Sequence, residues 1–209
     1  ANIFDIPQSI LTTTIYLGLL IFFVIGLFIK EQDIIKFMII PKKIQLAMGL
    51  YETLWRLCIP LLKRNARLKE GFDSRYCADG LEPADIWIHA ASAGEAFLAL
   101  SLIENLKTEV PVHILVTTNT RQGFDIIKKG VEAGKKSGPL SVTWDYIPFD
   151  RPRLMEQAVL RVFPKLMILL ETELWPGLLL ALKKQHIKTI LINGRINPKS
   201  LKHYMLWPS

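Results

Sequence analysis

Asp85-Ile-Trp-Ile-His-Ala-Ala-Ser-Ala-Gly-Glu95 is an apolar run of strand length that ends in small residues and gives way to a helical pattern opening on a glutamate. The switch recurs downstream, and short apolar runs alternating with helical stretches are the signature of a parallel sheet with crossover helices. Strands are expected over 86–90, 112–117, 142–148, 166–170 and 189–193, and helices over 95–107, 121–136, 153–162 and 176–185. Pro176 stands in the first turn of the last helix, where a missing N–H costs nothing. Right-handed units of this kind most often order their strands 3-2-1-4-5, and ligands bind beyond the carboxyl ends of strands 1 and 4, where the winding direction reverses. Strand 1 runs into His89-Ala-Ala-Ser-Ala-Gly-Glu95 and strand 4 into Glu171-Thr-Glu-Leu-Trp-Pro-Gly177, so both bring carboxylates to one crevice.

Glu95 follows Ser92 and Gly94 at a helix start. There the helix dipole favours an ionised carboxylate, and a glycine lets a substrate approach the backbone. A general base is one reading. A capping box is the other, since Ser92 and Glu95 also fit S-x-x-E. Glu171 and Glu173 end an apolar strand, a costly place for two carboxylates unless they are solvated, paired or used, and Arg195 is the obvious ion-pair partner. Thr117-Thr-Asn-Thr-Arg-Gln-Gly123 offers the hydroxyls of Thr117 and Thr118, an amide and a helix N-terminus, a cradle for a hydroxyl or an anion. No G-x-x-x-x-G-K-[ST] or G-x-G-x-x-G occurs, so neither nucleoside triphosphate hydrolysis nor a dinucleotide site is signalled. His89 reads as a satisfied strand-end histidine.

In all, 209 residues, half of them hydrophobic, are enough for one sizeable core and too apolar for a disordered chain. Cys58 and Cys77 make no disulfide framework or zinc spacing, and no metal is expected. The formal charge of +7 favours an anionic partner, and its distribution is uneven. Residues 1–29 hold no Lys or Arg, whereas 30–69 hold nine against three acidic residues. The uncharged stretch 10–29, about 30 Å long as a helix, is expected to be a transmembrane helix. The charge asymmetry then puts the N-terminus outside and the rest on the cytoplasmic face. Three regions follow: 1–33 with that helix, a basic membrane-proximal region over 34–84, and a Rossmann-like sheet domain over 85–209.

Leu46, Leu50, Leu54, Leu57 and Leu61 recur at helical spacing among Lys42, Lys43, Arg56, Lys63, Arg64 and Arg67. Such a helix would lie on an anionic membrane surface or grip a phosphorylated lipid, with packing against the core as the alternative. Nucleic acid is disfavoured as a partner because the basic cluster adjoins the apolar stretch.

The blocks His89–Glu95, Thr117–Gly123, Tyr146-Ile-Pro-Phe-Asp150, Leu170-Glu-Thr-Glu-Leu-Trp-Pro176 and Asn193-Gly-Arg-Ile196, with Ser200 after them, resemble the Kdo (3-deoxy-D-manno-octulosonic acid) transferases. The resemblance covers about residues 30–205 and implies a two-domain GT-B glycosyltransferase. Its N-terminal half binds the acceptor, a lipid A precursor (lipid IVA), and its C-terminal half binds the donor CMP-Kdo. This chain is similar to the first half only, so the donor domain is expected to be missing or separate. The family's general base carries onto Glu95 and a second functional acid onto Glu171, with Glu173 as the neighbouring candidate. Ser92, Gly94, Thr117, Thr118 and Arg195 are expected at the acceptor, and no cofactor is implied. Arg121-Gln122 stands where the family commonly has Pro-Thr, and Gly194 where it has Ala. The alternative is a catalytically inactive, membrane-anchored protein that binds phosphoglycolipid or serves as a scaffold.

Overall fold

A computed structural model describes residues 42–63, 70–76, 78–134, 138–171 and 174–194. Two helices precede the sheet, α1 (Lys42–Leu62) and α2 (Phe72–Tyr76). Strands and helices then alternate as β1 (Ile86–His89), α3 (Ala93–Asn105), β2 (Val112–Thr118), α4 (Arg121–Ala133) and β3 (Leu140–Tyr146). After these come α5 (Pro152–Val162), β4 (Leu166–Leu170), α6 (Pro176–Lys184) and β5 (Lys188–Ile192). All five expected strands and four expected helices form, with ends displaced by no more than a few residues. The sheet is parallel in the order β3-β2-β1-β4-β5, as expected. His89 pairs with both Thr117 and Leu169, so the carboxyl ends of β1, β2 and β4 lie side by side.

Successive strand residues face opposite sides, and each side of the sheet buries its own core. Trp87, Leu115, Met167 and Leu169 pack with Met155 and Val159 of α5 and Leu178 and Leu182 of α6. Ile88, Ile114, Val116 and Ile168 pack on the other face with Ala96 and Ala99 of α3 and Ile127 of α4. The α3–α4 contact needs Gly130, where a Cβ would stand 2.4 Å from Leu100 Cδ1.

Helix α1 joins the first of these cores, with Ile59 buried in it and Trp55 and Leu62 packed against it. Tyr51 Oη donates to Asp150 at 3.0 Å, and Glu52 pairs with Arg151 at 2.7 Å. The sequence offered membrane contact and core packing as alternatives, and the structure shows core packing on one face of the helix. Leu46, Leu50, Leu54 and Leu57 point away from the sheet, exposed by 70%, 67%, 57% and 68% respectively.

The expected fold class, a transmembrane helix followed by a parallel sheet, is corrected to the sheet with its flanking helices. No helix among the described residues is long and apolar enough to cross a membrane. In α1, Gln45, Glu52, Thr53 and Arg56 lower the hydropathy, and one face is occupied by α5 and the loop after β3. The stretch 10–29 lies outside the described residues.

Candidate active site at the carboxyl edge of the sheet

The turn from β1 into α3 is a capping box. Ser92 is the N-cap, and its Oγ accepts from the Glu95 N–H at 3.4 Å. Glu95 reaches back, its Oε2 accepting from the N–H groups of Ala91 and Ser92. The side chain of Glu95 is buried, whereas Ser92 and Gly94 are exposed. A Cβ at Gly94 would meet only Ser92 Oγ, at 3.9 Å, so steric crowding within the chain does not require glycine there.

Thr117 and Thr118 sit beside this turn and are fully buried. Thr117 Oγ1 accepts from the Trp87 indole N–H at 2.8 Å, and Thr118 Oγ1 donates to the Ala91 carbonyl at 3.4 Å. Both hydroxyls therefore stitch the ends of β1 and β2 together. His89 Nδ1 lies 3.1 Å from the Thr117 carbonyl, which can only accept, so the neutral ring carries its proton on Nδ1. Burial holds the His89 pKa down to about 4, and the nearby Arg75 charge acts in the same direction. The Thr117–Gly123 loop ends in a second cap, Thr120 Oγ1 accepting from the Gly123 N–H at 3.1 Å.

On the other side of β1, Glu171 closes β4 with φ 58°, a left-handed conformation that a glutamate seldom adopts. Its N–H donates to the Ile192 carbonyl at 2.8 Å, so β5 holds the residue in place, and its side chain is half-buried. Strained non-glycine residues cluster at functional sites, and this one falls where a second acid is expected. Glu173 and Arg195 lie outside the described residues, as do Arg64 and Arg67 and the side chain of Lys43. Lys42, Arg56 and Lys63 are exposed.

The structure therefore brings Ser92, Gly94 and Glu95 of the β1–α3 junction beside Thr117 and Thr118 at the end of β2, with Glu171 just after β4 on the other side of β1. The described basic residues of α1 belong to a separate element. Among the described residues, no three His, Cys, Asp or Glu side chains are grouped to hold a metal ion.

Two residues with no role in the sequence reading organise this edge. Asp150 is buried and accepts from the N–H groups of Gly177 at 2.9 Å and Leu178 at 2.8 Å, which fixes the start of α6 after the Glu171 turn. Burial pushes the Asp150 carboxyl up, against the opposing pull of those two N–H groups and the Tyr51 hydroxyl. Its signal was available, as the last residue of Tyr146-Ile-Pro-Phe-Asp150. Arg75 is also buried, donates from Nη2 to the Asn119 carbonyl at 2.7 Å, and lies over the Tyr146 ring at 4.2 Å. It comes from a short helix without apolar periodicity, which left no local signal to follow.

Comparison with known proteins adds a relationship to this geometry. A family profile described as 3-deoxy-D-manno-octulosonic-acid transferase (kdotransferase) matches residues 50–209. The 3-deoxy-D-manno-octulosonic acid transferase of Haemophilus influenzae is 31% identical over 166 residues, 74% of this chain and 38% of that protein. A bifunctional glycosyltransferase/methyltransferase of Fusobacterium nucleatum is 29% identical over 140 residues, 67% of this chain and 20% of that protein. A probable mitochondrial 3-deoxy-D-manno-octulosonic acid transferase of Arabidopsis thaliana is 32% identical over 120 residues, 57% of this chain and 25% of that protein. The chain spans less than half the length of each of these relatives.

Proposed function

The chain belongs to the 3-deoxy-D-manno-octulosonic-acid transferase family, and on that premise we propose that its sheet domain is the acceptor-binding part of a glycosyltransferase of lipopolysaccharide biosynthesis. The donor is CMP-Kdo, bound by a second domain, and the acceptor is a lipid A precursor whose sugar hydroxyl reaches the crevice beyond β1 and β4. Glu95 removes the proton from that hydroxyl as the oxygen attacks the donor, and CMP leaves. For this the carboxylate exchanges a capping contact for the incoming hydroxyl, and Gly94 leaves room for the approach. Glu171, next along the edge, is the second acid. The observation that supports the reading is that β1 and β4, the strands that run into the Glu95 turn and into Glu171, are hydrogen-bonded neighbours at the point where the winding of the sheet reverses.

The test is Kdo transfer from CMP-Kdo to a lipid A precursor by the protein that carries this chain, compared with its Glu95→Gln and Glu95→Ala variants. General base catalysis contributes about 100-fold or more, and turnover should fall by at least that in both. Glu95→Ala also loses the cap and should unfold more readily by about 1 kcal/mol. Unimpaired turnover in Glu95→Gln removes Glu95 as the base.

A second reading has one observation in its favour. The burial of Glu95 in a capping box suits a domain that binds phosphoglycolipid without turning it over. That reading predicts binding of lipid A precursor and no transfer when CMP-Kdo and a donor domain are supplied.

A further inference from the structure

A cavity of about 310 Å³ opens on the α5–α6 side of the sheet, between α1 and the loops that follow β2 and β3. Trp55, Phe149 and Trp175 supply aromatic wall, and Arg75, Asn119 and Asp150 are its polar members. Arg75 is 4% exposed, yet among the described residues no carboxylate lies within ion-pairing distance of it. Its neighbours are a carbonyl, the Asn119 oxygen, and the face of Tyr146, and among the described residues its Nε has no hydrogen-bond partner. A buried guanidinium without a counter-ion is costly, and such charges are ordinarily paired. The acid that shares the cavity does not pair with it. Asp150 is committed to the N–H groups of Gly177 and Leu178 and to the Tyr51 hydroxyl. Asp145 acts on Arg75 only through space.

We propose that this cavity binds an oxyanion carried on a short apolar group, with the Arg75 guanidinium as counter-ion and Trp55, Phe149 and Trp175 as the apolar wall. Its volume is at the low end for ligand pockets, which suits a head group and a few methylenes rather than a whole lipid. A phosphate and a carboxylate offer Arg75 the same pair of oxygens. The site is independent of Glu95, which does not line it.

The test is calorimetric titration of the chain with octyl phosphate, octanoate and 1-octanol. Octyl phosphate should bind at least tenfold more tightly than 1-octanol. Arg75→Gln should remove that preference and Arg75→Lys should retain part of it. Leu62→Trp, which fills the rim and leaves Arg75 in place, should weaken octyl phosphate at least tenfold, and it keeps the test decisive if Arg75→Gln does not fold. A tenfold advantage of octyl phosphate over octanoate assigns the site to phosphates, and equal affinities assign it to both anions. The proposal is overturned by equal affinity for octyl phosphate and 1-octanol, by wild-type affinity in Leu62→Trp or in a folded Arg75→Gln, or by no binding. Glu95→Gln should bind octyl phosphate as the wild type does, so loss of transfer and loss of this site are separable.

Discussion

His89 ends the central strand as a fully buried imidazole, its pKa held down to about 4 by burial against about 6.5 in the unfolded chain. Because the folded value is the lower, the unfolded chain takes up the proton first as pH falls. The stability from the neutral ring is complete above about pH 6.5 and is lost between there and about pH 4. His89→Gln should remove this component, with the wild type losing up to about 1.4 kcal/mol per pH unit relative to the variant. Urea unfolding of both proteins at about pH 7.5, 6 and 5 reads the difference, since other groups titrate alike in the two. Parallel curves would show that the ring takes up its proton equally in the folded and unfolded states, and that burial does not lower its pKa. Glu95 presents a related lesson at this scale. Its S-x-x-E spacing supported a cap and a base together, and the structure makes the cap.

Helix α6 follows the Glu171 turn, and its first N–H groups are held by a side chain from another loop rather than from its own flanking residues. Trp175 occupies the N-cap position without a side-chain cap bond, and Asp150 takes over from after β3. The same carboxylate accepts from Tyr51, so one acid ties α1, the β3–α5 connection and α6. Asp150→Ala should therefore destabilise by about 3 kcal/mol, the scale of losing hydrogen bonds to a buried charged acceptor and leaving their donors unpaired. Gly177→Ala should act through the same contact, because a Cβ there would stand 2.7 Å from Asp150 Oδ1 and from its carbonyl oxygen. The overpacking cost is about 1–3 kcal/mol. Chemical denaturation of the two single variants and the double variant checks this. The double should lose less than the sum, because Asp150→Ala removes the carboxylate part of the clash and leaves only the part with the carbonyl oxygen. Full additivity would separate Gly177 from the cap.

For the molecule as a whole, α1 is the element with two distinct faces. Tyr51, Trp55 and Ile59 hold it to the sheet domain, and Leu46, Leu50, Leu54 and Leu57 form an exposed leucine face beside Lys42, Arg56 and Lys63. A leucine face rimmed by cations suits the surface of an anionic membrane, the setting of the proposed acceptor. A Leu50→Ser/Leu54→Ser variant should keep its stability within about 0.5 kcal/mol per site, as exposed substitutions do. Its sedimentation with vesicles of anionic phospholipid should fall several-fold, and salt should weaken the wild type. Undiminished sedimentation would leave the leucine face without this role.

Strand order and helix positions were legible in the sequence because they depend on local periodicity and on the handedness of βα units, which any stretch of chain carries within itself. The 42–62 helix was legible too, but not which of its faces meets the protein. Leucines at spacings of three and four mark a stripe, and only the competing fit of Tyr51, Trp55 and Ile59 against α5 and Phe149 turned that stripe outward. Asp150 and Arg75 likewise acquire their places from partners 27 and 44 residues away, through contacts that exist only once the sheet has brought its carboxyl ends together. Sequence alone determined the pattern of apolar and polar groups. Tertiary structure decided which polar groups are buried, and hence which are satisfied within the chain and which, like the Nε of Arg75, have no partner among the described residues.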